Sequence, residues 1–179
     1  YTYGVLHSPE YREQYSADLK KVLPRIPYAP DFKAFSQAGR KLADLHLNYE
    51  TVEPWPVQED AKPKGDLNDL AYYRVEKMRY GKHGKDKDLT TLHYNARITL
   101  TGIPLAAYDY VVNGKPALDW VVERQCVKTD KDSGIVNDAN DWAIETMHNP
   151  RYPLELVQRV VTVSLETLKI VQSLPRLEI

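Results

Sequence analysis

Apolar residues recur at helical spacing in two segments near the N-terminus. Ser8 followed by Pro9 is typical of a helix start, and a first helix is predicted over 8–23. A second helix is predicted over 31–50, because its apolar residues repeat every three or four positions. The first 50 residues are therefore expected to form a helical segment.

The middle of the chain changes from a loop pattern to a strand pattern. Residues 51–70 are rich in proline and charge, which predicts a loop. Three short strands are then predicted, in YYRVEKMRYG, LTTLHYN and ARITLTG, with Gly81 and Gly84 at turns. A short helix is predicted in IPLAAYDYVVNG, ended by Asn113 and Gly114, and another helix in PALDWVVERQ.

The last part of the chain predicts one long amphipathic helix. Its leucines and valines recur at helical spacing from Leu154 to Val171. The predicted class is α+β, with N-terminal helices, a small antiparallel sheet and a C-terminal long amphipathic helix. Residues 71–179 are expected to form the α+β part.

Length and composition narrow the class of protein. The 179 residues suit one domain, and a formal net charge of −1 argues against wholesale binding of polyanions. No apolar run approaches the ~18 residues of a membrane span, and no signal peptide is visible, so no membrane partner is expected. Cys126 is the single cysteine, which excludes an internal disulfide and fits a reducing cytoplasmic location. Without an initiator Met, the chain is expected to be a fragment of a longer polypeptide.

Charge is concentrated in one part of this nearly neutral chain. Residues 74–97 hold seven basic residues against three acidic ones, a net charge of +4, whereas residues 51–73 have a net charge of −3. This basic island is compatible with phosphate binding, and equally with a solvated hairpin that lysines keep in solution.

The stretch QCVKTDKDSGIVNDANDW, residues 125–142, is unusually rich in short polar side chains. A calcium loop that began at Asp130 would need glycine at its sixth position and glutamate at its twelfth, but Ile135 and Asp141 stand there. Scattered histidines and one cysteine exclude a structural zinc site, so no metal ligands are predicted. Polar stretches of this kind often form turns that satisfy their own hydrogen bonds.

Catalytic motifs also fail to match. Asp18-Leu19-Lys20 fits part of a nuclease pattern, but it falls on a predicted helix instead of a strand. Asn149-Pro150-Arg151-Tyr152 is similar to the Asn-Pro-Pro-Tyr motif of adenine methyltransferases, without its second proline or a glycine-rich segment upstream. A helix cap at Asn149, with Pro150 at the first helical position, explains this tetrapeptide better, and no catalytic residue is predicted.

Several long segments, in order and at matching spacing, resemble the C-terminal part of type ISP restriction–modification enzymes. These segments are YTYGVLHSPEYREQYSADLKKVLPRIP, FSQAGRKLADLHLNYE, ITLTGIPLAAYDYVVNGKPALDWVVERQ and VKTDKDSGIVNDANDW. The resemblance implies a target-recognition domain, within a single polypeptide that also carries nuclease, helicase-like ATPase and adenine methyltransferase regions. One departure is visible, because the family pattern often has proline where Ala139 stands.

The resemblance implies double-stranded DNA as partner, together with the methyltransferase and helicase-like domains of the same polypeptide. Residues 1–50 would pack toward the methyltransferase. S-adenosylmethionine, ATP and Mg²⁺ are implied for the parent enzyme, and no cofactor is expected in this fragment. The expected DNA contacts combine cations for phosphates with side chains that reach base edges. They are Lys77, Arg79, Lys82, Lys85, Lys87, Asn95, Arg97, Lys128, Thr129, Lys131, Ser133, Asn137 and Asn140.

Two other functions stay open at the level of sequence. The chain could be a docking or scaffold domain of the same enzyme, without direct base readout, in which the basic island is a solvated hairpin. An independent nuclease or methyltransferase is a third reading, which the missing motifs disfavour. Binding that falls steeply with salt would distinguish the DNA-recognition domain from the scaffold. For Asn137 and Asn140 the sequence predicts either base contacts or a role in fixing the segment that makes them.

Overall fold

The structure, a computed structural model, describes residues 1–61, 66 and 69–178, and it has the predicted α+β architecture. Its α-helices are α1 (Thr2–His7), α2 (Pro9–Tyr15), α3 (Phe32–Leu47), α4 (Leu70–Tyr73), α5 (Ala117–Arg124), α6 (Ala139–Glu145) and α7 (Tyr152–Gln172). Its strands are β1 (Gln58–Ala61), β2 (Arg79–His83), β3 (Asp86–His93), β4 (Ile98–Thr101), β5 (Val111–Val112), β6 (Lys115–Pro116), β7 (Val127–Thr129) and β8 (Val136–Asp138).

The chain divides into two compact units. The first, called the helical unit, holds Tyr1–Tyr49 and the residues from Leu165 onward, and the second, called the sheet unit, is Glu50–Ser164. The core of the helical unit buries Val5, Tyr11 and Phe35.

Helix α2 starts as predicted but ends early. The Ser8 hydroxyl caps it by accepting from the Tyr11 N–H, and Pro9 occupies its first turn. The predicted helix over 8–23 stops at Tyr15, and a short 3-10 turn follows at Asp18–Lys20. Residues 16–25 are exposed, so no buried face stabilises further helical turns. The second predicted helix is confirmed as α3, capped by Asp31.

The main sheet has strand order β1-β4-β3-β2, and every neighbouring pair is antiparallel. The loop prediction for 51–70 is wrong at Gln58–Ala61, because this charged segment forms the edge strand β1. Its Glu59 carboxylate accepts from Arg151, just before α7, at 2.7 Å and from Gln158 of α7 at 3.0 Å. Partners far along the chain therefore position a strand that local propensity does not favour. Residues 62–65 and 67–68 of the predicted loop lie outside the described residues.

The sheet has one buried and one open face. Leu92 and Leu100 are cross-strand partners on the buried face, and both are inaccessible to solvent. The three strands predicted from sequence are present as β2, β3 and β4, although the first begins at Arg79, and Tyr72 and Tyr73 belong to α4 instead. Alternation of buried and open side chains is the expected pattern for an antiparallel sheet covered on one side.

Two predictions for the C-terminal half are confirmed and one is wrong. The helix in PALDWVVERQ is α5, and the long C-terminal helix is α7. Asn113 and Gly114 do not end a helix. Both have positive φ, +50° and +79°, and they form the two-residue turn of the β5–β6 hairpin, the conformation that Asn-Gly favours between strands. Ahead of this hairpin, Leu105–Asp109 forms a 3-10 helix.

Candidate nucleic-acid interface

The basic island is carried mainly by the β2–β3 hairpin. Lys82, Lys85 and Lys87 are exposed around its turn, where Gly84 adopts a φ of +63°. Lys82 and Lys87 are direct cross-strand partners. Like charges placed opposite each other destabilise a hairpin slightly, so an anion bound between them would relieve that repulsion.

A surface cleft of about 720 Å³ lies beside this hairpin and gathers the other residues predicted from the island. It is lined by Ala71, Arg74, Glu76, Lys77, Arg79, His93, Asn95, Ala96, Arg97 and Thr99. Arg74 is held by Glu76 at 2.8 Å and by Asp138 at 2.7 Å. The side chains of Lys77 and Arg79 have no ion-pair or hydrogen-bond partner among the described residues, which leaves their charges available to a ligand.

The side chain of Asn95, one of the predicted base contacts, forms hydrogen bonds with backbone groups of the protein. Its Nδ2 donates to the carbonyl oxygens of Tyr72 and Arg74, and its Oδ1 accepts from the N–H groups of Arg97 and Ile98. All of its hydrogen-bonding groups are therefore used inside the protein. In this structure Asn95 shapes the β3–β4 turn and presents no free amide to a base.

The polar stretch 125–142 is an ordered hairpin followed by a helix. Strands β7 and β8 pair with Lys128 opposite Asn137. Asp130 forms the turn, because its carboxylate accepts from the N–H groups of Asp132 and Ser133 and from the Ser133 hydroxyl. These hydrogen bonds from Ser133 lower the pKa of Asp130. The Ser133 hydroxyl, a predicted DNA contact, is engaged in the turn.

Asn140 has a structural role in this conformation. It is only 5% exposed, its Oδ1 accepts from the Val75 N–H at 2.9 Å, and its Nδ2 donates to the Val75 carbonyl at 2.8 Å and to Asp138 at 2.7 Å. Burial raises the pKa of Asp138, but hydrogen bonds from Arg74 and Asn140 outweigh it, so that pKa is lowered. Of the two alternatives for Asn140, the geometry favours fixing the hairpin over reading a base.

The remaining polar groups of the hairpin point to solvent. Lys128, Thr129, Lys131 and Asn137 are all exposed. Lys128 and Asn137 line a concavity of about 520 Å³ together with Glu123 and Arg124. The Asn137 amide has no hydrogen bond in the part of the chain that the structure describes, so it can offer both a donor and an acceptor to a ligand.

The fold joins the basic island and the hairpin into one surface. Three contacts attach the hairpin region to the segment that precedes β2. The Val127 N–H donates to the Glu76 carbonyl at 3.0 Å. Next to it, Arg74 forms an ion pair with Asp138, and the Val75 N–H donates to Asn140. A further cleft of about 380 Å³ shares Lys77 and Arg79 with the first cleft and Glu123 with the hairpin concavity. Residues more than 40 positions apart therefore contribute to a continuous surface.

Among the residues of this surface that sequence reasoning missed, two lie on neighbouring strands of the sheet. His93 and Thr99 line the first cleft, and His93 Nδ1 lies 3.1 Å from Thr99 Oγ1. The alternation of polar and apolar residues in β3 and β4 is a signal that could have placed them on the open face.

A histidine cluster in the helical unit is structural. The Tyr3 hydroxyl lies 2.6 Å from His46 Nδ1, and His46 Nε2 lies 2.8 Å from Thr167 Oγ1. Burial, followed by the nearby His7 and Arg12, lowers the pKa of His46 to about 4. The ring is therefore neutral near pH 7 and bridges two hydroxyl groups.

The motifs rejected from sequence have structural explanations here. The Asn149 side chain accepts from the Arg151 N–H and donates to Glu155 of α7. This helix begins at Tyr152, so the predicted helix start at Pro150 is wrong. Arg151 pairs with Glu59. No group of three or more potential metal ligands occurs among residues 1–61, 66 and 69–178. In the same residues, no helix is both long and apolar enough to cross a membrane.

The fold and this surface define a recognition domain rather than a catalytic one. The chain belongs to the Type ISP C-terminal specificity domain family, whose model matches residues 1–156. A comparison with curated proteins gives no significant match.

Solved structures agree with the family assignment. A nuclease-deletion mutant of the Type ISP restriction–modification enzyme LlaGI, in complex with a DNA substrate mimic, is 45% identical with a TM-score of 0.85, over 99% of this chain and 13% of that chain. The ATP-dependent Type ISP enzyme LlaBIII bound to DNA is 41% identical with a TM-score of 0.87, and the match covers 100% of this chain and 11% of that chain. The protein of the DrdV–DNA complex is 33% identical with a TM-score of 0.77, and the match covers 97% of this chain and 17% of that chain. The chain thus spans less than a fifth of the length of each of these three relatives.

Proposed function

We propose that the chain recognises double-stranded DNA as the specificity domain of a larger restriction–modification polypeptide. The observation that carries the proposal is the continuous surface on which exposed Lys82, Lys85 and Lys87 adjoin Lys77, Arg79 and Asn137. The side chains of the last three have no partner among the described residues. Cations of this kind bind phosphates irrespective of sequence, whereas amide and guanidinium groups can read base edges. The DNA-bound state of LlaGI and LlaBIII supports the same assignment.

The contacts divide between affinity and specificity. The phosphate contacts are assigned to Lys82, Lys85 and Lys87. A second group of contacts lies on the β7–β8 hairpin, where Lys128, Thr129 and Lys131 flank Asn137. Asn137 is assigned to a base edge, where an Asn amide pairs with the N6 and N7 groups of adenine. Asn95, Ser133 and Asn140 hold the turns that present these groups.

The rest of the parent polypeptide would supply the chemistry. We assign S-adenosylmethionine, ATP and Mg²⁺ to methyltransferase, helicase-like ATPase and nuclease regions outside this chain, and we place the enzyme in the cytoplasm, where its DNA substrate is found. Residues 1–50 are proposed to pack toward the methyltransferase. In support, Leu23 and Tyr28 of the helical unit are 89% and 96% exposed, and a neighbouring domain would cover such apolar side chains.

The same exposed apolar residues favour the alternative function, a docking domain without base readout. The two functions predict different responses to salt. If the basic island binds DNA, affinity should fall as added salt weakens the contacts of its lysines with phosphates. In a docking domain, these lysines would contribute nothing to DNA affinity.

The test neutralises Lys82, Lys85 and Lys87 together, as Lys→Gln, in the intact parent polypeptide. We expect weaker binding on cognate and unrelated duplexes alike, and a salt slope reduced by about 0.9 for each lost phosphate contact. Affinity is measured by fluorescence anisotropy over a series of salt concentrations. The matched control neutralises three exposed lysines of the helical unit, Lys20, Lys21 and Lys33. An unchanged slope in the island variant, equal to that of the control, would favour the docking domain.

A further inference from the structure

The open face of the sheet carries one row of polar side chains across neighbouring strands. The register pairs Arg79 of β2 with His93 of β3, and His93 with Thr99 of β4. The adjacent row, Tyr80, Leu92 and Leu100, lies on the opposite, buried face. Because side chains alternate along each strand, Arg79, His93 and Thr99 share the face that opens into the 720 Å³ cleft.

On this face, the Arg79 side chain has no stabilising partner within the described part of the chain. The acidic residue in its row is Asp60 of β1, which pairs with Thr99 and is therefore three strands away, a separation of roughly 14 Å at the usual strand spacing. Glu76, which lines the same cleft, is paired with Arg74. The Arg79 guanidinium thus projects five N–H donors from a rigid strand, without an ion pair among the described residues.

We propose that the open face of β2, β3 and β4 is a base-reading surface, and that Arg79 reads the edge of a guanine. The proposal rests on the proposed DNA function and names the residue that would give it specificity. A guanidinium donates two parallel hydrogen bonds to the O6 and N7 atoms of guanine, and the major groove admits a two-stranded ribbon such as β2–β3. A strand holds such a group more accurately than a loop does.

The spacing along β2 fits a groove. Lys82 follows Arg79 by three residues, which is about 10 Å in an extended strand, compared with about 12 Å for the width of the major groove. Alternation turns Lys82 and its partner Lys87 away from the open face, and Lys87 Nζ lies 5.9 Å from the centre of the Tyr80 ring. With Arg79 at the base edges, these two lysines would stay outside the row of base contacts, at the edge of the hairpin, and would meet the phosphates of the groove wall from there. The register of β2 against β3 shifts between Tyr80 and Gly81, in the segment between Arg79 and Lys82. His93, held by Thr99, places a second polar group beside Arg79.

The experiment selects bound sequences from duplexes with a randomised central segment, using the intact parent polypeptide. Wild type is compared with Arg79→Lys, which keeps the charge but loses the paired donors, and with Arg79→Gln. Lys33→Arg, a conservative change at an exposed lysine of the helical unit, is the control. We expect both Arg79 variants to lose preference for G·C at one position by roughly 10- to 100-fold, the range for one bidentate base contact. Arg79→Lys should keep the wild-type salt slope, and Lys33→Arg should keep the selected sequence.

Each of the other possible outcomes would contradict a specific part of the proposal. If wild type selects a sequence and both Arg79 variants select the same one, the base-reading role of Arg79 is wrong while the proposed DNA function stands. If the Arg79 variants melt well below wild type, the side chain is structural and the inference also fails. If wild type selects no sequence and its binding is insensitive to salt, the proposed function itself fails.

Discussion

Asparagine side chains on the recognition surface differ in whether the protein already uses their hydrogen bonds. Asn95 and Asn140 are saturated, mostly by backbone groups of residues 72–75. Asn137 is exposed on a strand, and its amide has no partner in the described part of the chain. The first two therefore contribute to stability, whereas Asn137 is available for recognition.

This difference predicts opposite results for two alanine variants. Asn140→Ala leaves the buried N–H and C=O of Val75 without partners and should cost roughly 1–3 kcal/mol of unfolding free energy. Asn137→Ala should melt like wild type but lose about 1–3 kcal/mol of discrimination at one A·T pair. Thermal melts, and competition binding to singly substituted target sites by the intact enzyme, measure the two effects. Full discrimination by Asn137→Ala would remove this residue from the interface.

At the scale of elements, glycines set how closely α1 and α3 can approach. A Cβ added at Gly4 would lie 2.2 Å from the Phe35 carbonyl oxygen, and one added at Gly39 would lie 2.7 Å from the Gly4 nitrogen. Both neighbours are backbone atoms, which cannot move away as a side chain could. Gly39 therefore occupies the interior of α3 in spite of its poor helix propensity.

Gly39→Ala should accordingly destabilise the helical unit. Alanine gains about 1 kcal/mol of helix propensity, but the clash with α1 costs roughly 1–3 kcal/mol, so the free energy of unfolding should fall or at best stay level. Gln37→Ala, at an exposed position of the same helix, is the matched control and should be neutral or slightly stabilising. Urea denaturation followed by circular dichroism compares the two variants. A Gly39→Ala protein more stable than wild type would show that α1 and α3 are not in close contact.

At the scale of the whole molecule, the recognition surface lies within one unit. Every residue of the basic island and of the β7–β8 hairpin falls within Glu50–Ser164, the sheet unit. The three relatives place a domain of this kind in chains at least five times longer, since it covers at most 17% of each. We therefore expect cofactor chemistry to belong to other parts of the parent enzyme.

The purified chain should not bind S-adenosylmethionine. The expectation rests on the missing glycine-rich cofactor segment and on the Asn149 side chain, which is engaged by the Arg151 N–H and by Glu155. Isothermal titration calorimetry measures binding, with the intact parent enzyme as positive control and a thermal melt to verify that the chain is folded. Saturable heat from the isolated chain would contradict the assignment of this cofactor to another domain.

The sequence by itself determined the elements whose signals are local. Helices α3, α5 and α7 follow from apolar periodicity, and β2, β3 and β4 from alternation between turn residues. The basic island could also be located in advance, because the charged residues and their positions can be read directly from the sequence.

Tertiary structure decided the features that depend on distant partners. The charged segment Gln58–Ala61 became a strand through pairing with β4 and the contact of Glu59 with Arg151, which is 92 residues away. Local sequence could not distinguish the saturated Asn140 from the free Asn137, because Val75 lies 65 residues from Asn140. The union of island and hairpin into one surface likewise depends on the contacts of residues 74–76 with 127–140, which no local pattern encodes.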